Sequence, residues 1–386
     1  MAHQAKILIT GGHLTPALAF IDHIQALRAN FSIVFLGRLL TREFDEQPSQ
    51  EKFEVEKRSV PFVSFKAPKL SGQSVWQLPI TAISVLKATV QAAKLIRSEK
   101  PDVIVSFGSY LAVPAALAAW LLNIPVITHE QTRTAGFSNQ LISRLARTVA
   151  ISHPESKKFF PKHKTVVTGN LLRKQLSDQA TKPSWFTSQA SAAILYITGG
   201  SQGSEVINST VCQVLPRILR DWRVIHQCGA SSKYHRYRDE LLSARSQLQR
   251  SYQDRYFVQE WLTESELAWV YQNTALAISR AGANTTQELA LHRIPAILIP
   301  LANSHRNEQE ENAKMLAKTG GAIIIRQNEF TPEKLLEELK KLGSKYKASS
   351  KKLGSIHFRT DAPQKLLKIV EKYLPAHAQT QKKNSK

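Results

Sequence analysis

Cysteine is almost absent from this chain: only Cys212 and Cys228 occur, at a spacing that matches no metal-ligand pattern. That excludes a disulfide framework and a zinc site, and it fits a reducing compartment. Acidic residues are also scarce, 30 against 52 lysines and arginines, leaving a formal charge of +22. Such an excess attracts phospholipid surfaces, phosphorylated substrates or nucleic acid, or it serves solubility alone. No RNA-binding signature, zinc finger or long arginine run is present, so nucleic acid is the weakest of these partners. No Asp-x-Asp pair offers a carboxylate site for a divalent metal, and no metal or cofactor is expected. No leader is expected either, because MAHQAKILIT runs straight into a strand pattern. The longest apolar stretch, Leu111 to Thr128, is broken by Pro114 and Pro125 and carries Asn123. It reads as a helix followed by a strand, not as a membrane span. The expectation is a soluble cytoplasmic protein, at most lying on a membrane.

What is present suits a large core. At 386 residues with 42% hydrophobic content, two domains are expected. The stretch ALAISRAGANTTQELALHRIPAILIP, from Ala275 to Pro300, reads as strand, glycine turn, helix and strand. This is a βαβ unit, and its crossover implies a parallel sheet. Lys6 to Thr10 followed by Gly11, Gly12 and His13 repeats the device, as does AILYITGGSQG from Ala193 to Gly203. Further strands are expected at Ser32–Leu36, Asp102–Phe107, Pro125–Thr128, Thr165–Thr168, Arg223–Gln227, Arg255–Gln259 and Ala322–Arg326. Helices are expected at Pro79–Arg97, Thr331–Leu342 and Asp361–Leu374. The fold class is therefore α/β, with two Rossmann-like domains whose parallel sheets face each other across a cleft. The breaker-rich segment after Arg173 sets the boundaries: residues 1–173, a linker at 174–190, and a second domain at 191–358. A helix at 359–375 that packs back on the first domain and a tail at 376–386 complete the chain.

Each motif admits a bland reading beside a functional one. Gly199 to Gly203 brings backbone and the Ser201 hydroxyl near a diphosphate, or is simply a tight turn. Thr15 caps a helix with Pro16 at its first position. Thr285-x-x-Glu288 fits a capping box, and its rival is a carboxylate that accepts both hydroxyls of a ribose. His13 stands at a βα turn, where an imidazole suits proton removal from an alcohol. Glu130 and Gln131 follow a strand and land at a sheet's carboxyl edge, or belong to ordinary loop polarity. Trp76, Leu78, Ile80 and Ile83, near Lys66, Lys69, Lys87 and Lys94, form either a membrane-facing patch or the buried face of a helix.

Taken in order, GGHLTPALAF (11–20), SFGSYLAVPAALAA (106–119), HEQ (129–131), GFSN (136–139), GNLLR (169–173), GGSQGSEVIN (199–208), HQCG (226–229), SRAGANTTQELA (279–290) and the Gln309–Asn312–Ala313 segment resemble the MurG family of peptidoglycan glycosyltransferases. The resemblance covers nearly the whole chain and implies the GT-B arrangement. It implies inverting transfer of N-acetylglucosamine from UDP-N-acetylglucosamine to the muramyl 4-hydroxyl of an undecaprenyl-pyrophosphate-linked acceptor (lipid I), giving lipid II at the cytoplasmic face of the membrane. By matching positions it implies Glu288 on the ribose, Arg173 near the uracil, and Gln309 on the donor sugar. Ser201, Gln202 and the Gly282, Ala283, Asn284 and Thr285 backbone would surround the diphosphate. His13 is implied as the base or an acceptor-site residue, with Gly11, Gly12, Glu130, Thr132 and Asn139 on the acceptor side. The chain departs from the family at a shortened first loop, where GGTGGH is usual, and at Thr132 (asparagine), Leu171 (proline), Arg293 (glycine) and Glu308 (glutamine). Two rivals share the donor site: a transferase for another acceptor such as diacylglycerol, and a nucleotide-sugar-binding scaffold without turnover.

Overall fold

The computed structural model describes residues 4–27, 31–39, 49–68, 78–172, 180–200, 202–229, 236–302, 304, 307–354 and 361–375. The chain divides into two compact units, Met1–Arg173 with Arg359–Lys386, and Lys174–Phe358. In the first unit the strands are β1 (Ala5–Thr10), β2 (Phe31–Gly37), β3 (Phe62–Ser64), β4 (Val103–Ser106), β5 (Val126–Glu130), β6 (Thr148–Ile151) and β7 (Thr165–Val167). They form one parallel sheet in the order β3-β2-β1-β4-β5-β6-β7. The second unit holds β8 (Ala193–Thr198), β9 (Trp222–Gln227), β10 (Tyr256–Gln259), β11 (Thr274–Ser279), β12 (Ala296–Leu298) and β13 (Ala322–Ile324). Its order is β10-β9-β8-β11-β12-β13, again parallel throughout. Both are doubly wound Rossmann sheets, each with a switch point beside its first strand.

The strands are apolar on both faces because helices cover both. Ile7 and Ile9 face helix Leu14–Ala26, while Leu8 and Ile104 face the side lined by Ala92, Ile96 and Ala112. The chain's last described helix, Ala362–Glu371, adds Leu366, Leu367 and Val370 to the first of these clusters. The Tyr373 hydroxyl then meets Thr148 Oγ1 at 2.7 Å. Residues 180–190, expected as linker, pack on the second unit through Phe186, whose ring lies 4.7 Å from Phe257 and 5.0 Å from Trp269. The tail at 376–386 lies outside the described residues.

Leu111–Thr128 resolves into helix Ala112–Leu121 and β5, as its prolines indicate. Helix Leu78–Glu99 buries Ala88, Thr89, Ala92 and Ile96, a stripe spaced for one helical face. Ile83, read above as either membrane-facing or on the buried face of a helix, is 56% exposed, and Leu86 is 63% exposed. Trp76, Lys69 and the side chains of Leu78 and Ile80 lie outside the described residues. Among the described residues, no helix is long and apolar enough to cross a membrane.

Candidate active site

In the first unit the site gathers at the carboxyl ends of β1 and β4, the switch point of the sheet. After Thr10 the chain turns through Gly11 and Gly12, and His13 occupies the N-cap of helix Leu14–Ala26 without capping it. Thr15, expected as the cap, lies inside the first turn with Pro16, where a missing N–H leaves no helical bond unmade. Gly12 packs so closely on the turn after β4 that a Cβ there would strike the Gly108 carbonyl. That approach puts His13 Nδ1 at 2.7 Å from the Phe107 carbonyl oxygen. A carbonyl only accepts, so Nδ1 is the donor, and in the neutral ring Nε2 is the nitrogen that holds the lone pair. Among the described residues no hydrogen bond engages Nε2.

The remaining acceptor-side residues are largely turned inward. Gly11 N–H donates to Leu36 O (2.7 Å), and Gly12 N–H donates to the Glu51 carboxylate (3.1 Å). Neither amide is open to a diphosphate. Glu130 is fully buried and accepts from Thr132 N (2.8 Å), Thr132 Oγ1 (2.7 Å), Gly136 N (2.8 Å) and Asn139 Nδ2 (3.0 Å). Asn139 also donates to His129 O and accepts from Thr128 Oγ1. Glu130, Thr132 and Asn139, expected on the acceptor side, have buried side chains that engage one another as a framework. His129 between them is buried, and desolvation lowers its pKa to about 4. Glu51, which sequence reading missed, is likewise buried, and desolvation raises its carboxyl above the usual range. It sits in a polar helix, Gln50–Glu56, with no motif around it to mark it.

In the second unit the turns after β8 and β11 meet the switch point in the same way. Gly200 N–H donates to Thr198 Oγ1 (3.0 Å), and Ser204 caps helix Glu205–Ile218. Gly203 takes φ +71°, and a Cβ there would strike the Cys228 carbonyl, so close packing requires this glycine. Gln202 is exposed at the turn, while Ser201 and Arg173 lie outside the described residues.

Helix Ala283–Leu291 begins two residues before Thr285, with Gly282 as N-cap and no capping side chain. The expected capping box is therefore absent. Glu288 points away from the cap and accepts from the Tyr271 hydroxyl at 3.0 Å, and Tyr271 stacks on His292. Ala283 is buried, and Asn284 and Thr285 are partly exposed on the first turn, whose amides lack helical acceptors. Gln309 lies in the first turn of helix Glu308–Lys318, where its Oε1 accepts from Leu301 N at 2.9 Å. Its Nε2 has no protein partner among the described residues. Arg293, where the family has glycine, takes φ +57°, a left-handed conformation that explains the family's preference. Among the described residues no group of three His, Cys, Asp or Glu side chains is placed to hold a metal.

Two parallel Rossmann sheets of this order give the chain the GT-B fold class, and the family match that follows makes it a glycosyltransferase. Residues 10–151 match the glycosyltransferase family 28 N-terminal domain, and residues 194–366 match the family's C-terminal domain. The chain belongs to glycosyltransferase family 28. It is 34% identical over 344 residues to a Clostridium perfringens UDP-N-acetylglucosamine--N-acetylmuramyl-(pentapeptide) pyrophosphoryl-undecaprenol N-acetylglucosamine transferase, covering 87% of this chain and 90% of that one. The crystal structure of Acinetobacter baumannii MurG superposes with a TM-score of 0.66 at 25% identity, covering 95% of this chain and 99% of that one. A putative UDP-N-acetylglucosamine 2-epimerase from Listeria monocytogenes shares the fold at TM-score 0.67 and 13% identity, covering 96% and 97%.

Proposed function

We propose that the chain transfers N-acetylglucosamine from UDP-N-acetylglucosamine to the 4-hydroxyl of a muramyl-peptide carried on undecaprenyl diphosphate, inverting the anomeric carbon. The observation that carries the mechanism is the His13–Phe107 hydrogen bond of 2.7 Å, which leaves Nε2 as the proton acceptor. His13 removes the acceptor proton as the oxygen attacks the anomeric carbon. The bond to the diphosphate breaks, and UDP leaves with the electron pair. The capless start of helix Ala283–Leu291 stabilises that developing charge through its backbone amides. Glu288, steadied by Tyr271, accepts from the ribose hydroxyls, and Gln309 Nε2 donates to the donor sugar. Ser201, Gln202 and Arg173 complete the donor side in this reading, at the diphosphate and the uracil. The names of the relatives supply the substrate pair.

The same reading puts the protein peripherally on the anionic cytoplasmic face of the membrane. Exposed Ile83, Leu86 and Val90 follow one face of helix Leu78–Glu99, with Lys87 and Lys94 also exposed. Exposed Trp120 stands at a cavity of about 210 Å³ that Arg144, Arg147 and Lys164 also line. Apolar side chains among cations suit an anionic lipid surface. Transfer of labelled N-acetylglucosamine to a soluble analogue of the lipid-linked acceptor tests the reaction. Product supports it. Donor binding without product refutes it and favours another acceptor, such as diacylglycerol, or a binding scaffold.

A further inference from the structure

The amides of Gly11 and Gly12 are engaged within the first unit, so this glycine turn offers no backbone cradle for the diphosphate of an acceptor. A Cβ on Gly11 or on Gly37 would strike the Glu51 carboxylate, which fills the space between the two turns. A cation stands at the same sheet edge. Arg38 follows β2 directly, and its backbone N–H donates to the second Glu51 oxygen at 2.9 Å. The Arg38 guanidinium lies 5.9 Å from the centre of the Tyr110 ring, and its Nη1 is 3.5 Å from the Tyr110 hydroxyl. Tyr110 follows β4 three residues after Phe107, the residue that holds His13. Strands β2, β1 and β4 are neighbours in the sheet, so Arg38, His13 and Tyr110 share one edge.

Both Arg38 and Tyr110 are partly exposed, and among the described residues no carboxylate lies within salt-bridge distance of the Arg38 guanidinium, although buried Glu51 attracts it from farther off. A guanidinium held on an aromatic ring presents its remaining N–H groups as a fork that matches phosphate oxygens. Burial raises the carboxyl of the neighbouring Glu51 above its ordinary value, against the backbone bonds from Arg38 and Gly12 and the charge of Arg38, which lower it.

We propose that Arg38, oriented by Tyr110, binds the diphosphate of the lipid-linked acceptor in place of the glycine-turn amides. The proposal rests on the function proposed above, and its test separates the two. Arg38→Ala, Arg38→Lys and Tyr110→Phe are assayed for transfer and, independently, for binding of farnesyl diphosphate and inorganic diphosphate by calorimetry. In Arg38→Ala the acceptor KM rises about tenfold or more, a loss of one charge-assisted contact. Arg38→Lys recovers part of it, because it restores charge without the fork. Tyr110→Phe falls between Arg38→Ala and wild type. The donor KM stays within about twofold throughout, which also reports that the variants are folded.

Farnesyl diphosphate binding by the wild type that is lost in Arg38→Ala supports the proposal even if no transfer is seen, in which case only the function fails. Equal binding by wild type and Arg38→Ala overturns it, whatever the turnover. A rise confined to the donor KM also overturns it, since Arg38 would then serve the nucleotide. Equal weakening toward inorganic diphosphate and farnesyl diphosphate assigns recognition to the diphosphate itself, as proposed. Weakening toward neither overturns it.

Discussion

Replacing Glu130 with Gln tests whether the buried acceptor-side residues build the site or touch the substrate. The carboxylate is fully buried, with Thr132 N and Oγ1 on Oε1 and Gly136 N and Asn139 Nδ2 on Oε2. A glutamine keeps one acceptor oxygen and turns an NH2 group toward donors on the other side. Two bonds to a charged group are lost, each contributing about 1.5–3 kcal/mol. Rotation of the Thr132 hydroxyl and local relaxation return some of this, so about 3 kcal/mol is expected, among the larger single-residue effects. For a unit of this size the melting temperature should fall by roughly 6–12 °C. Hydrogen exchange at the Thr132 and Gly136 amides should accelerate in step. Scanning calorimetry and amide exchange measure the two effects, with transfer assayed below the transition. Unchanged stability and unchanged exchange together with lost turnover would refute the framework role and return Glu130 to direct contact with substrate.

Replacing His13 with Ala should reduce transfer by about 10²–10⁴-fold with UDP affinity unchanged, as stopped assays and calorimetry would register; normal turnover removes it from the mechanism. Replacing Glu288 with Ala should raise the donor KM strongly, and Tyr271→Phe should do so more weakly through the lost 3.0 Å bond; a normal donor KM in both returns Glu288 to structure alone. Acid should destabilise both units. Desolvation lowers the pKa of buried His129 to about 4 and of His226 to about 3, from an ordinary 6.5, so the unfolded chain binds protons that the folded chain refuses. Each contributes stability that is full above pH 6.5 and falls by about 1.4 kcal/mol per pH unit toward its folded pKa. Urea midpoints that stay level between about pH 7 and 5 would contradict this. Arg293→Gly should relieve a left-handed φ of +57°, leaving stability unchanged or up to about 1 kcal/mol higher by urea titration.

The strands were legible because a doubly wound sheet buries both faces, which writes continuous apolar runs such as KILIT and AILYIT into the chain. β3 and β6 were not anticipated. PFVSF contributes three strand residues at an edge, and TVAI follows its helix with almost no breaker between them, so neither has the punctuation that marked the others. Helix Leu78–Glu99 was legible from its proline and length, but its orientation was not. Its buried stripe uses Ala88, Thr89 and Ala92, while larger Ile83 and Leu86 face outward, against the usual association of size with burial.

Candidate site residues were legible only where polar chemistry coincides with a turn. His13 and the Gly282 turn stand at strand ends, and strand ends can be read from sequence. Glu288 could not be assigned from spacing, because Thr-x-x-Glu describes a capping box equally well, and only the helix start at Ala283 separates the two. Arg38, Glu51 and Tyr110 come from three separate segments of the first unit and meet because β2, β1 and β4 lie side by side. No local pattern can announce such a meeting, since register across a parallel sheet is set by packing of the whole core. The shortened first loop gains its physical meaning there. Its two amides are satisfied by Leu36 and Glu51, and the positive group at that edge is a side chain whose identity lies outside the glycine motif. A resemblance that transfers roles motif by motif therefore says nothing of Arg38 and Glu51, which lie outside the motifs that carry it.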